Sequence, residues 1–463
     1  MLLLTSFWAA CAGTGHRRLR ALGVFAAACL ISVAAALPAR AGVFNPETFT
    51  LDNGLQVVVV TNRTAPVVTH MVWYRVGAAD EPLGKSGIAH FLEHLMFKGT
   101  EKLAPGEFSE IIARNGGREN AFTSQDYTGY YQTIARDRLE LVMKHEADRM
   151  ANLVLTDEVT LPELDVVLEE RRSRVDNQPA ARLSEMTQAA TFLHHPYGIP
   201  VIGWQHEVSR LTTADALEFY ETWYAPNNAI LLVAGDVSAE EVRRLAETYY
   251  GPLEPAALPE RKRVAEPEHQ APRRVVLEDP RVQQPQIGIR YLAPSYVRGE
   301  SQHAYALEVL SQILGGGTTS RLYRNLVIQQ AIAAGAGSWY GPDSLDLATF
   351  GFYVIPRPGQ DPEAVEAALR AEIETLLADG VTAEELEKAK NQLRAGAVYA
   401  RDSLTAAPRI LGRALTTGQS VEDVEAWPER IEAVSREDVE AAARAVLREE
   451  RSVTSILLPD PTS

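Results

Sequence analysis

Cysteine is almost absent from this chain: Cys11 and Cys29 are the only two in 463 residues. Both precede residue 42, in a segment that reads as a removable leader. The mature chain is therefore expected to hold no disulfide and no thiolate metal ligand. Positive charge is also in short supply. Sixty-one acids stand against 45 lysines and arginines, a formal net charge of −16, and the leader carries four arginines and no acid, so its removal leaves −20. A surface this negative argues against nucleic acid as a partner. Beyond residue 41 no apolar run is long enough to cross a bilayer, so the mature chain is expected to have no membrane span. What is present suits a globular enzyme: 46% hydrophobic and 23% charged residues, enough for two or three domains with large cores.

The leader has three parts. His16-Arg17-Arg18-Leu19-Arg20 is basic, the stretch from Ala21 to Leu37 is apolar and rich in alanine, and Ala39-Arg40-Ala41 fits a small-residue cleavage pattern. Residues 1–41 thus read as a signal peptide, with a mature start near Gly42. A membrane anchor competes, but the small residues and the cleavage pattern favour removal. Ala26 stands where a lipidation signal prefers leucine, so Cys29 is not read as a lipid site. The chain is expected to be secreted across the inner membrane and to be periplasmic.

The most informative segment is His90-Phe91-Leu92-Glu93-His94, an H-x-x-E-H motif inside the apolar, proline-free run from Gly87 to Phe97. That run predicts a buried helix. Positions i, i+3 and i+4 share one helix face, so two imidazoles and a carboxylate fall on one patch. Two imidazoles one turn apart can hold a zinc ion from the same side, and the carboxylate between them can take a proton from water. This order of residues is the inverzincin signature. Two histidines and a glutamate are costly to bury on an apolar helix unless something pairs them. A second acidic helix is expected over Leu161–Arg172. Taken alone, its acids would read as a solvated face.

With both segments in view, the chain resembles the M16 peptidases, the pitrilysin and mitochondrial-processing-peptidase family. Asn120-Ala121-Phe122-Thr123-Ser124-Gln125-Asp126-Tyr127-Thr128-Gly129-Tyr130-Tyr131 is similar to that family's active-site edge strand. His195-Pro196-Tyr197-Gly198, Tyr224-Ala225-Pro226-Asn227-Asn228-Ala229 and Val233-Ala234-Gly235-Asp236 match as well. The resemblance implies a third zinc ligand 76 residues beyond His94, at Glu170, and a supporting glutamate at Glu163, two helical turns earlier. Glu169 is the neighbouring rival, but it points about 100° away around the helix. One zinc per chain is implied, with Glu93 as catalytic base. The 120–131 segment would bind substrate by β-addition, through Asn120, Ala121, Phe122 and Thr123.

The second half carries the repeat but not the motif. Prolines 252, 255, 259, 267, 272 and 280 mark a linker, giving a zinc-bearing domain over 42–255, a linker over 256–280 and a homologous domain over 281–463. Thr212-Thr213-Ala214-Asp215 and Ser435-Arg436-Glu437-Asp438 are capping boxes that open equivalent helices. In this register the metal motif falls opposite Glu308-Val309-Leu310-Ser311-Gln312. Strands are expected over Gln56–Val60, Val67–Val76 and Gln286–Tyr291, with a hairpin turn at Asn53-Gly54. The fold class is α+β: two homologous halves, each an antiparallel-rich sheet covered by helices, facing each other as a clamshell. Gly315-Gly316-Gly317 lacks the lysine of a phosphate loop and does not indicate nucleotide binding.

One departure from the family stands out. M16 chains often carry an arginine and a tyrosine seven residues apart in the second half, where they hold substrate. Here Val327 and Ala334 align with them, while Arg321 and Tyr323 lie nearby at the wrong spacing. Three readings follow: a self-sufficient peptidase, the zinc-bearing subunit of a two-chain peptidase whose partner lacks H-x-x-E-H but carries the Arg/Tyr pair, and a non-catalytic metal-binding subunit. The lost pair favours the second reading. The intact Glu93 argues against the third.

Overall fold

Val57, Val58, Val59 and Val60 are all buried, as is the whole of Ala229–Gly235. Strands this continuously apolar must be covered on both faces. The computed structural model describes residues 42–460 and covers them so. The expected signal peptide lies outside the described residues. In the first half, strands β1 (Glu47–Thr50), β2 (Gln56–Thr61), β3 (Val67–Tyr74), β4 (Arg118–Thr123), β5 (Thr128–Ala135) and β6 (Ala229–Gly235) form one sheet, in the order β1-β2-β6-β3-β5-β4. Only β2 and β6 run parallel. Asn53-Gly54 lies in the loop that turns β1 into β2, with Gly54 at φ 88°.

Helices α1 (Ile88–Leu95), α2 (Glu107–Arg114), α3 (Leu139–Asn152), α4 (Asp157–Arg171), α5 (Pro179–Thr191), α6 (Thr213–Trp223) and α7 (Ala239–Tyr249) complete this half. Alternate residues of β3 divide its burial. Val68, Val72 and Tyr74 enter a core shared with α1, α3 and α6, while Met71 and Trp73 enter a second core on the opposite face.

The second half places β7 (Arg273–Asp279), β8 (Gln286–Ala293), β9 (Ala333–Tyr340), β10 (Ala348–Pro356) and β11 (Val453–Pro459) in a sheet ordered β7-β11-β8-β10-β9. Helices α8 (Ala304–Gly315), α9 (Pro362–Asp379), α10 (Ala383–Ala400), α11 (Ala406–Thr416) and α12 (Arg436–Val446) accompany it. Ile287, Ile289, Phe350, Phe352 and Val354 pack against α8, α9 and α12. The capping boxes at Thr212 and Ser435 are both formed, and their helices lead into β6 and β11.

The halves exchange helices. From the second half, α11 lays Ala407, Leu411, Ala414 and Leu415 on the Trp73 face of the first sheet. Gly412 is essential to that approach, since a Cβ there would lie 2.2 Å from the Trp73 ring. In return, α5 of the first half packs on β7 and β11 of the second sheet.

Two expectations need correction. The last part of the expected 256–280 linker is strand β7, whose partner β11 pairs with it in parallel from the other end of the sequence. Three apolar residues among charged ones gave no local sign of it. The expected single edge strand over 120–131 is instead a hairpin. Only β4 is at the sheet edge, while β5 lies between β4 and β3.

Candidate metal centre

Helix α1 buries Ile88, Ala89, Phe91, Leu92 and Leu95, which leaves His90, Glu93 and His94 on one strip. Its first turn is anchored by an acid: the Glu81 carboxylate accepts hydrogen bonds from the Gly87 and Ala89 amides, both at 2.9 Å. Burial pushes the Glu81 carboxyl well above the usual carboxylate range, against the pull of these two amide bonds. Gly87 has φ 89°, and a Cβ there would sit 2.8 Å from the Ile202 carbonyl oxygen, so this corner needs glycine.

Helix α4 packs on α1 and brings its acids to the same place. His94 Nε2 lies 3.1 Å from Glu170 Oε2, and His90 Nε2 lies 3.8 Å from the same oxygen. A tetrahedral zinc with ligands near 2.1 Å holds them roughly 3.4 Å apart. Ligand atoms of His90, His94 and Glu170 all fall within 4.8 Å of one another, so the three fit one ion. Side-chain exposures of 12%, 22% and 14% for these residues leave the cluster open on one side. The other nitrogen of His94 bonds Glu163 Oε1 at 2.8 Å, which orients the ring. His90 Nδ1 is buried without a hydrogen-bond partner. Glu169 points away, exposed and paired with Arg172.

Electrostatics sharpen the site. Burial, with smaller contributions from His94 and Arg174, lowers the His90 pKa to about 3, so its imidazole is neutral and its lone pair is free to coordinate. Burial also pulls His94 down, but the Glu163 hydrogen bond and the nearby Glu170, Glu163 and Glu93 charges leave it raised. Glu93 is raised by burial, against an opposing hydrogen bond from Thr123 Oγ1 at 2.5 Å. Glu163 is burdened by burial yet held below the usual carboxylate range by His94 and Lys98.

Two residues, Lys98 and Arg174, escaped the sequence reading, and Thr123 was expected only as a substrate-binding residue. Lys98 pairs with Glu163, Arg174 pairs with Glu170, and the Thr123 hydroxyl serves Glu93. Arg174 lies four residues beyond Glu170, a spacing that could have been noticed. Of the expected substrate-binding residues, Asn120, Ala121, Phe122 and Thr123 all lie on β4, whose outer edge pairs with no strand among the described residues. The Ala121 amide is at present bonded to the Asn120 side chain at 2.8 Å.

In the second half, Val327 is buried in the core and Ala334 stands on edge strand β9. Arg321 is fully engaged by Glu385 and the Gly380 carbonyl, and Tyr323 packs on the core. Glu308, the counterpart of His90, binds Tyr296 and Trp427 and is raised by burial to about 7.

Comparison with known proteins agrees with this architecture. The family model described as Insulinase (Peptidase family M16) matches residues 56–204, and that described as Peptidase M16 inactive domain matches residues 210–393. The chain is 35% identical over 366 residues to a zinc protease, PqqE, of Helicobacter pylori, covering 78% of this chain and 81% of that protein. It is 28% identical to a probable mitochondrial-processing peptidase subunit beta of Schizosaccharomyces pombe, covering 87% and 88%. A crystal structure of a protease from Helicobacter pylori superposes with a TM-score of 0.84 at 31% identity, over 90% of this chain and 100% of that one. The periplasmic protease PqqL from Escherichia coli superposes with a TM-score of 0.77 at 20% identity, over 90% of this chain but 48% of PqqL. The chain belongs to peptidase family M16.

Proposed function

We propose that this chain is a zinc-dependent endopeptidase acting on extended peptides, with one zinc held by His90, His94 and Glu170 and with Glu93 as general base. The observation that carries this reading is the convergence of two imidazole nitrogens and one carboxylate oxygen beside a half-buried carboxylate that accepts a hydrogen bond from the Thr123 hydroxyl. Glu163 supports the set through His94. Zinc in such a site supplies Lewis acidity toward water and toward a peptide carbonyl. Glu93, steadied by Thr123 Oγ1, takes a proton from the attacking water and delivers it to the departing amine. Burial makes it a stronger base than a free carboxylate. The substrate adds as a strand along β4, where Asn120 must release the Ala121 amide.

The chain is proposed to act as the zinc-bearing subunit of a two-chain enzyme. Its partner would be a homologous chain without H-x-x-E-H that carries the Arg/Tyr pair absent at Val327 and Ala334. Two findings support this: a relative is named a subunit, and the chain spans about half of PqqL. The alternatives are a self-sufficient monomer or homodimer and a non-catalytic zinc-binding assembly subunit. Among the described residues no helix is long and apolar enough to cross a membrane. The leader pattern over 1–41 supports export to the periplasm.

Glu93→Gln tests the chemistry. It should keep stoichiometric zinc and the parental melting curve while peptide hydrolysis falls about 10²–10⁴-fold. Parental turnover by this variant would overturn the mechanism.

A further inference from the structure

One guanidinium inside the protein has no anion to answer it. Arg290 projects from β8 on the face of the second sheet opposite its helical core, where alternate residues of β8, β9 and β10 meet α5 of the first half. It is half-buried, yet its recorded contacts are a long 3.5 Å hydrogen bond to Gln188 Oε1 and the Trp339 ring, 5.1 Å away. No carboxylate lies within ion-pair distance of it among the described residues. Burial alone lowers its pKa, to about 10. A desolvated, unpaired charge destabilises the fold that keeps it.

The sheet around Arg290 is built to leave room. Arg290 pairs across strands with Gly351, and Gly351 with Trp339. The indole lies over Gly351, where a Cβ would come within 2.3 Å of it, and so reaches back toward the guanidinium. One row further, Tyr353 lies over Gly337 in the same way and pairs with the bare floor at Gly288. The result is a groove of about 310 Å³ whose far wall is the small-residue face of α5, including Ala180, Ser184 and Thr187. Arg290 is the sole charged residue lining it; the other polar side-chain groups there are hydroxyls, the Gln286 amide and the Trp339 indole N–H. Trp339 also borders an adjoining cavity that reaches Ser124, Gln125 and Asp126, the turn that follows Thr123 on β4. The two cavities share Trp339, and the second ends at the turn that joins β4 to β5.

We propose that this groove is a substrate-anchoring subsite in which Arg290 binds a peptide carboxylate, a free C-terminus or an acidic side chain, while Trp339 and Tyr353 receive the neighbouring apolar residue. A planar guanidinium with no internal carboxylate can take one from a ligand through two parallel hydrogen bonds. The assignment rests on the peptidase reading above, and the two can fail separately.

The test uses the full mature chain as Glu93→Gln, so that bound peptide survives, and three decapeptides of one sequence without aspartate or glutamate, each labelled at its N-terminus with an uncharged fluorophore. One ends in a free carboxylate, one in an amide, and one in an amide with a single internal glutamate. Fluorescence anisotropy should show at least one carboxylate form binding about tenfold tighter than the plain amide. Tight binding of the first alone means that C-termini are anchored; tight binding of the third means that acidic side chains are. A second substitution, Arg290→Gln, should abolish the preference, leave amide binding unchanged and not lower the melting temperature. Arg290→Lys should restore part of the preference. Equal binding of all three peptides, or a preference that survives Arg290→Gln, would overturn the subsite. If the parental chain nevertheless hydrolyses these peptides in a Glu93-dependent way, the peptidase reading stands without it. A preference that depends on Arg290 in a chain that cleaves nothing, even when mixed with a homologous zinc-less chain bearing the Arg/Tyr pair, would remove the peptidase reading and keep the subsite.

Discussion

The bond between His94 and Glu163 offers a quantitative check on the metal centre. Glu163 Oε1 sits 2.8 Å from His94 Nδ1, and its side chain is only 12% exposed, so water is a poor substitute. A carboxylate behind a ligating imidazole fixes the ring and raises its basicity, and losing such a partner costs about 10–100-fold in metal affinity, or about 1.4–2.7 kcal/mol. The two obvious variants should separate within that range. Glu163→Gln keeps an acceptor for the imidazole N–H but removes the charge, and it should fall near tenfold. Glu163→Ala removes both. It also strands the Lys98 ammonium, which now pairs with Glu163, beside a cationic metal site. It should approach about a hundredfold. Zinc affinity is measured by competition with a fluorescent chelator, with Glu169→Ala as control, because Glu169 is exposed and paired with Arg172. Parental affinity in Glu163→Ala, or a large loss in Glu169→Ala, would refute the placement of α4 against α1.

Other outcomes follow from the same structure. The purified chain should show little peptidase activity until mixed with a homologous, zinc-less chain bearing the Arg/Tyr pair; turnover of about 1–10³ s⁻¹ by the chain alone would remove the need for a partner. Gly412→Ala should lower the urea midpoint: the gain of up to about 1 kcal/mol expected for alanine in a helix is outweighed by a Cβ placed 2.2 Å from the Trp73 ring, an overpacking that typically costs about 1–3 kcal/mol. Burial pushes the Glu308 carboxyl from its ordinary value of 4.5 up to about 7, so the native state binds the extra proton between those values. Stability should therefore fall as pH rises through that window, by up to about 3 kcal/mol at its end. In Glu308→Gln this part of the slope should vanish, which urea titrations from pH 4.5 to 8 would detect.

What could be read along the chain was whatever is encoded within a helical turn or two. His90, Glu93 and His94 share a face because α-helical periodicity demands it, and the same geometry separates Glu170 from Glu169. The capping boxes at Thr212 and Ser435 announced equivalent helices in both halves, because a cap and its partner lie three residues apart. Val57–Val60 marked itself as a strand by its continuous β-branched character. Even the absence of an arginine at 327 and a tyrosine at 334 was plain from residue identity. Tertiary structure decided the rest. Strand β7 hid in a proline-rich stretch because its partner, β11, lies almost two hundred residues away, beyond any local pattern. The exchange of α5 and α11 between the halves depends on shape, down to a bare glycine under Trp73. The Thr123 hydroxyl meets Glu93 only once β4 is folded beside α1. Arg290 is an unremarkable arginine in the sequence. It becomes a charge in need of an anion only where the second sheet and a borrowed helix exclude water around it, because desolvation is a property of the assembled fold and not of the residue.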